Sequence, residues 1–305
     1  EKKLEYMIFP RMAALAEVLW TKKENNNWKD FERRLPAVFE TYKNWKTGFS
    51  NAYYEPVIQL LPTENYDGLQ IKVSSKMKKP SYYFGNKTQS RFNLFTDSVS
   101  ATIKESGEYG IRLLGEMDSK KEGEKWGTVS LPSFNYLFKT DLNILMNKAS
   151  GKKITLLHQP SAAYPGNGAF TLVDGIQNTK GLSRSAEIVG FLGKDLEVTI
   201  DLSVVTNINE VRLHTFTRTA SWIYPAKQNS IKVLVSNDGI NFMLPQDEIL
   251  TIEGNSNVIN KITFSPTKKT IQARYIKIVA ENYGIIPSGN PGAGNGAWLF
   301  AKSNI

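Results

Sequence analysis

Apolar residues recur at every second position along most of this chain, and that period admits few folds. Leu196, Val198, Ile200 and Leu202 alternate with Glu197, Thr199 and Asp201. Val211 and Leu213 alternate with Arg212 and His214, Ile231, Val233 and Val235 with Lys232 and Ser236, and Ile276, Ile278 and Ala280 with Lys277 and Val279. Successive side chains of a strand point to opposite faces, so each run has one face fit for burial. Asn237-Asp238-Gly239 closes one run with residues suited to positive φ. With few helical stretches after residue 150, the pattern predicts a β-sandwich or jelly roll over residues 151–305. Upstream, Leu69, Ile71 and Val73 alternate, as do Val99, Ala101 and Ile103. Tyr109–Leu114 and Trp126–Leu131 are short β-type runs between turn residues. Strands at roughly ten-residue spacing predict a second, smaller sandwich over residues 53–147.

The first 52 residues read differently. Met12, Leu15, Ala16 and Leu19 recur at helical spacing, with Pro10 at a first turn that tolerates it. Asn27 is suited to cap a second helix, whose apolar stripe is Trp28, Phe31, Leu35, Val38, Tyr42 and Trp45. Pro36 inside that stripe is expected to kink or divide it, and Gly48 to stop it. So much apolar surface on two helices calls for a larger partner, expected upstream. The fold class is therefore mainly β with an N-terminal helical segment. The length, 305 residues, suits about two or three domains.

Composition excludes several functions. Cysteine is absent, which removes disulfides, thiolate nucleophiles and Cys-ligated zinc. The net charge of +9 is spread along the chain. Its densest runs, Lys76–Lys79 and Lys120-Lys121, sit beside turn residues and read as solvated loop charge, so no nucleic-acid partner is expected. No stretch approaches the roughly 18 apolar residues of a membrane span, and Glu1–Tyr6 does not lead into a signal-peptide core.

Catalytic signals are equally sparse. His158 and His214 are the two imidazoles. Ser161 lies near His158 without a nucleophile elbow, and Gly181-Leu-Ser-Arg-Ser185 lacks the closing glycine of one. The glycines at 289, 292, 294 and 296 precede a strand and lack the Lys-Ser/Thr of a phosphate loop. Glu17, Glu116 and Asp118 read as helix or loop charges. No catalytic residue is assigned, nor any cofactor for catalysis.

Two stretches near the start carry a family resemblance. Phe9-Pro-Arg-Met-Ala-Ala-Leu-Ala-Glu-Val-Leu-Trp20, followed by Trp28-Lys-Asp-Phe-Glu-Arg-Arg-Leu35, resembles the closing helices of the (β/α)8 barrel in glycoside hydrolase family 20 hexosaminidases. Gln159-Pro-Ser, Tyr164–Gly175, Phe191–Leu202, Val235–Gly239 and Pro291–Phe300 resemble discoidin domains (coagulation factor 5/8 type C), a group that includes the family 32 carbohydrate-binding modules. The region between them then corresponds to a fibronectin-like sandwich. The resemblance implies residues 1–52 as a barrel remnant, 53–147 as a middle β-domain and 148–305 as a carbohydrate-binding-type module.

It further implies the accessory region of a secreted, periplasmic or cell-surface exo-β-N-acetylhexosaminidase, whose catalytic Asp–Glu pair lies upstream, so this chain alone is expected to be inactive. Its partners would be glycans ending in N-acetylhexosamine or galactose-type sugars. The alternatives are a stand-alone glycan-binding or adhesion protein and a purely structural sandwich. Sugars need an aromatic platform and planar donors. Arg218, Trp222 and Tyr224 offer these, with Asn282 and Tyr283 on a loop that could converge, and Tyr164 a further loop aromatic. Where related modules carry ligand-side aromatics, this chain has Gly289-Asn290 and Ile188. A structural calcium is implied at Asp174 and Thr179, although Ile176 and the ending Ala301–Ile305 depart from the usual ligand pattern.

Overall fold

The computed structural model describes residues 2–89, 92–96, 98–118, 133–176, 187–227, 230–245, 248–254, 259–266 and 270–304. Trp126–Leu131, Lys120-Lys121, Thr179 and Gly181–Ser185 lie outside the described residues. The chain divides into two compact units. One comprises Glu1–Gln59, Lys72–Ser100 and Glu108–Leu142; the other Leu60–Ile71, Ala101–Gly107 and Asn143–Ile305.

Three helices open the first unit: α1 (Lys2–Ile8), α2 (Arg11–Trp20) and α3 (Trp28–Asn44). Asn27 caps α3 as its sequence position predicts, its side chain accepting from the Asp30 N–H at 3.2 Å. Two expectations fail here. Helix α3 runs unbroken through Pro36, which is buried together with Phe31, Leu35, Phe39 and Tyr42. Packing of that face, including Phe39 stacked on Phe49 at 4.9 Å and Tyr42 against Phe9 at 4.7 Å, outweighs the lost backbone hydrogen bond. The helix also ends before Gly48: Lys46 takes the left-handed conformation (φ 56°) and the Thr47 N–H reaches the Tyr42 carbonyl at 2.9 Å. Pro10 caps α2 from outside its first turn rather than sitting within a helix.

The chain continues as β1 (Val57–Pro62), β2 (Leu69–Ser74), β3 (Lys78–Asn86), β4 (Asn93–Thr96), β5 (Val99–Ile103), β6 (Gly107–Asp118) and β7 (Ser133–Ile144). One sheet has the order β4-β3-β6-β7 and another β1-β2-β5. Tyr82 and Phe84 on β3 lie opposite Leu113 and Ile111 on β6, and all four are buried. The Lys76–Lys79 run departs from its expectation as a loop. Strand β3 starts at Lys78, and Lys76 Nζ binds Glu32 Oε1 at 3.1 Å and the Tyr53 hydroxyl at 2.6 Å.

Ten strands follow: β8 (Lys153–Leu156), β9 (Gly166–Ala169), β10 (Val189–Leu192), β11 (Leu196–Ile208), β12 (Val211–Phe216), β13 (Lys232–Ser236), β14 (Glu248–Gly254), β15 (Ile259–Pro266), β16 (Ile271–Ala280) and β17 (Trp298–Asn304). All of these but β9 build a β-sandwich from a five-stranded sheet, β10-β17-β12-β15-β14, and a four-stranded sheet, β13-β16-β11-β8. Antiparallel pairing sets Val198 opposite Ile278 and Ile200 opposite Ile276. Leu196, Val198, Ile200, Leu202, Ile276, Ile278 and Ala280 are almost completely buried, as their alternation predicts. The alternation ends at a register shift after Asp201, where Ser203 is left-handed (φ 74°) and Val204 and Val205 face solvent. Asn237-Asp238-Gly239 forms the expected turn. Gly239 has φ 74°, and Asp238 Oδ1 accepts from the N–H groups of Ile240 and Asn241, both at 2.8 Å.

Among the described residues the protein is thus mainly β, with four antiparallel sheets. Among the described residues no helix is long and apolar enough to cross a membrane.

Candidate functional site

Strand β12 delivers the chain into a tight loop. The Arg218 and Ile223 backbones exchange hydrogen bonds (2.9 and 3.2 Å) around the turn Thr219–Ser221. This forces Trp222 into the left-handed region, φ 65°, where a bulky residue is rarely found. Three backbone bonds hold it there: Trp222 N–H to the Thr219 carbonyl at 2.9 Å, Trp298 N–H to the Trp222 carbonyl at 2.8 Å, and Tyr224 N–H to the Trp298 carbonyl at 3.0 Å. The loop is therefore stitched to the start of β17. Gly292 makes room for the indole. A Cβ there would lie 2.4 Å from Trp222 Cε2, and its φ is 80°. Trp222 still presents 38% of its surface.

The loop after β16 meets the same place. Asn282 is 3% exposed. Its Nδ2 donates to the carbonyls of Ala297 (3.1 Å) and Phe191 (3.4 Å), and its Oδ1 accepts from the Gly284 N–H (2.9 Å). Its own N–H reaches Asp195 Oδ1 at 2.7 Å. Next to it the Tyr283 ring lies 4.6 Å from that of Tyr224, centroid to centroid, at 34°. Tyr224 packs with Ile286 and Ala297, and among the described residues its buried hydroxyl has no hydrogen-bond partner.

The fold thus gathers Arg218, Trp222, Tyr224, Asn282 and Tyr283 into one loop cluster and sorts them. Arg218, Trp222 and Tyr283 are exposed, while Tyr224 and Asn282 are buried supports. Tyr164 instead packs edge-on against Trp298 (5.1 Å) and Phe300 (4.7 Å), in a core cluster that includes Ile188. Sequence reasoning missed Gly292, Asp195 and Trp298. Only the glycine run before β17 signalled them, and it pointed to a turn.

An open groove of about 640 Å³ elsewhere on this unit is lined by Ser236, Asn237, Asp238, Met243, Leu244 and Gln272 among others. None of the cluster residues lines it.

Glu17 binds Arg34 through its Oε1 at 2.7 Å. Burial holds the His214 imidazole below its usual range, and the charges of Lys261, Arg212 and Lys302 add to this. At Asp174, burial pushes the carboxyl up, the Lys302 charge opposes this, and the Glu187 charge adds to it. Calcium does not fit the residues described at Asp174, because Lys302 Nζ lies 2.5 Å from Asp174 Oδ1. Among the described residues no group of three His, Cys, Asp or Glu could hold a metal ion.

Residues 158–295, within the C-terminal sandwich, match the family described as F5/8 type C domain. A search of curated proteins finds no match. Among solved structures, a chitosan-binding module from a Paenibacillus sp. IK-5 chitosanase/glucanase is 17% identical, with 53% of this chain and 100% of that chain covered and a TM-score of 0.30. A fucose-binding module of Streptococcus pneumoniae is 14% identical over 53% of this chain and 98% of its own, TM-score 0.31. A Clostridium perfringens module in complex with glcNAc-alpha-1,4-galactose is 19% identical over 52% and 94%, TM-score 0.29.

Proposed function

We propose that the C-terminal sandwich binds a glycan at its loop cluster, with Trp222, Tyr283 and Arg218 as the contact residues. The observation that carries this reading is Trp222. A large aromatic is held in a strained backbone conformation, seated on Gly292 and left open to solvent. A core plug would not need exposure, and a solvated loop would not sustain the strain. An indole fixed in this way takes the C–H face of a sugar with little loss of rotamer freedom. Arg218 supplies a planar set of donors for ring hydroxyls, and Tyr283 a second aromatic edge. Tyr224 and Asn282 position the loops. Saccharide-array binding tests this: glycans ending in N-acetylhexosamine or galactose-type sugars are the expected ligands, and Trp222→Ala should abolish their capture. Capture that survives Trp222→Ala removes the proposed platform.

The wider reading is that this chain is the accessory C-terminal region of a secreted, periplasmic or cell-surface exo-β-N-acetylhexosaminidase, its first 52 residues closing a catalytic barrel. Exposed apolar side chains support it: α2 buries none of its residues, and Leu19 and Trp20 are 71% and 89% exposed. Such a face calls for a covering surface. The chain alone is expected to be inactive on an aryl N-acetylglucosaminide, and measurable turnover would overturn that reading. The burial of Tyr224 and Asn282 favours a second reading, a structural brace without ligand, which array binding would reject.

A further inference from the structure

Among the described residues, the buried charged side chains are Asp174 and Lys302. They meet each other. Lys302, on β17, places Nζ 2.5 Å from Asp174 Oδ1 and 2.6 Å from the Thr171 carbonyl oxygen. The same Asp174 oxygen accepts from the Ile176 N–H at 2.8 Å. Glu187 lies within electrostatic reach of Asp174, and its Oε2 is buried with no hydrogen-bond partner among the described residues. A backbone carbonyl and a carboxylate oxygen meeting at one point are donors that suit a hard cation. Here the cation belongs to the chain.

We infer that Lys302 is the resident cation of this module. Its ammonium neutralises Asp174 and ties β17 to the loop after Phe170–Leu172, so the fold neither needs nor takes up calcium. An ammonium presents three donors and no acceptor, and Thr171 and Asp174 use two of them at short range. A divalent ion entering the same point would have to displace the buried Lys302 side chain from Asp174 and Thr171. The device concerns folding and does not depend on sugar binding.

Thermal unfolding of the full chain, with millimolar calcium or with excess chelator, tests it. The two melting temperatures should agree within about 1 °C. A rise of about 5 °C or more in calcium, the size given by an ion at a hundred times its dissociation constant, would overturn the inference. Lys302→Met, which keeps the stem and removes the charge, should lower the melting temperature by about 10 °C, because it strands a buried carboxylate. Adding Asp174→Asn to it should recover part of the loss. A Lys302→Met protein as stable as the parent also overturns the inference. If that variant does not fold, the calcium comparison and the single Asp174→Asn variant, expected to melt lower, still decide it.

Discussion

Replacing Asn282 by alanine separates support from contact in the loop cluster. The side chain makes three hydrogen bonds, two to the carbonyls of Phe191 and Ala297 and one from the Gly284 N–H. The backbone bond to Asp195 survives the change. Ala297 keeps the Gly193 N–H at 2.9 Å on its carbonyl, so that acceptor is not orphaned, while the Gly284 N–H loses its Asn282 acceptor. Each lost bond is worth about 1 kcal/mol net, and a stranded buried group about 1–3 kcal/mol. The two bonds to carbonyls and the stranded N–H sum to about 3–5 kcal/mol, or about 6–20 °C for a domain of this size. Equilibrium unfolding in urea of the full chain measures it. Saccharide binding should weaken with it, since Tyr283 loses its anchor. A loss below about 0.5 kcal/mol would refute the view that Asn282 clasps the loops, and a large binding defect at unchanged stability would make Asn282 a contact residue instead.

Gly292→Ala should reduce saccharide binding at least about tenfold, an array or calorimetric readout, because its Cβ would displace the Trp222 ring and its φ disfavours any other residue. Tyr224→Phe should leave stability unchanged or raise it by about 1 kcal/mol in urea unfolding, since it removes a buried hydroxyl that has no partner among the described residues; a loss of that size would reveal a hidden partner. Because His214 is held below its unfolded value, chiefly by burial, the folded state binds fewer protons. Its contribution to stability is present above the unfolded pKa of about 6.5 and is lost as pH falls through the folded value. Urea midpoints measured between neutral pH and pH of about 5 should fall less steeply in His214→Gln.

Much of the fold was legible because its signals are local. Alternation marks which side chains of β11, β12, β13 and β16 turn inward whatever they pack against. Asn27 and Asp238 act on backbone groups within three residues of themselves. The five cluster residues could be gathered from chain pattern and family likeness, but their sorting could not. Asn282 and Tyr283 are adjacent and both polar at the tip, and only the carbonyls of Phe191 and Ala297, distant in sequence, draw one inward. Pro36 stays helical because tertiary burial of α3 exceeds the local penalty. Lys302 reads as an ordinary strand-end cation until Asp174, 128 residues earlier, is brought to its ammonium. The sequence alone determined the faces of these strands, the Asn27 cap and the Asn237–Gly239 turn. The tertiary structure decided which polar groups go inside, because a buried charge or amide is stable only beside partners that the fold supplies.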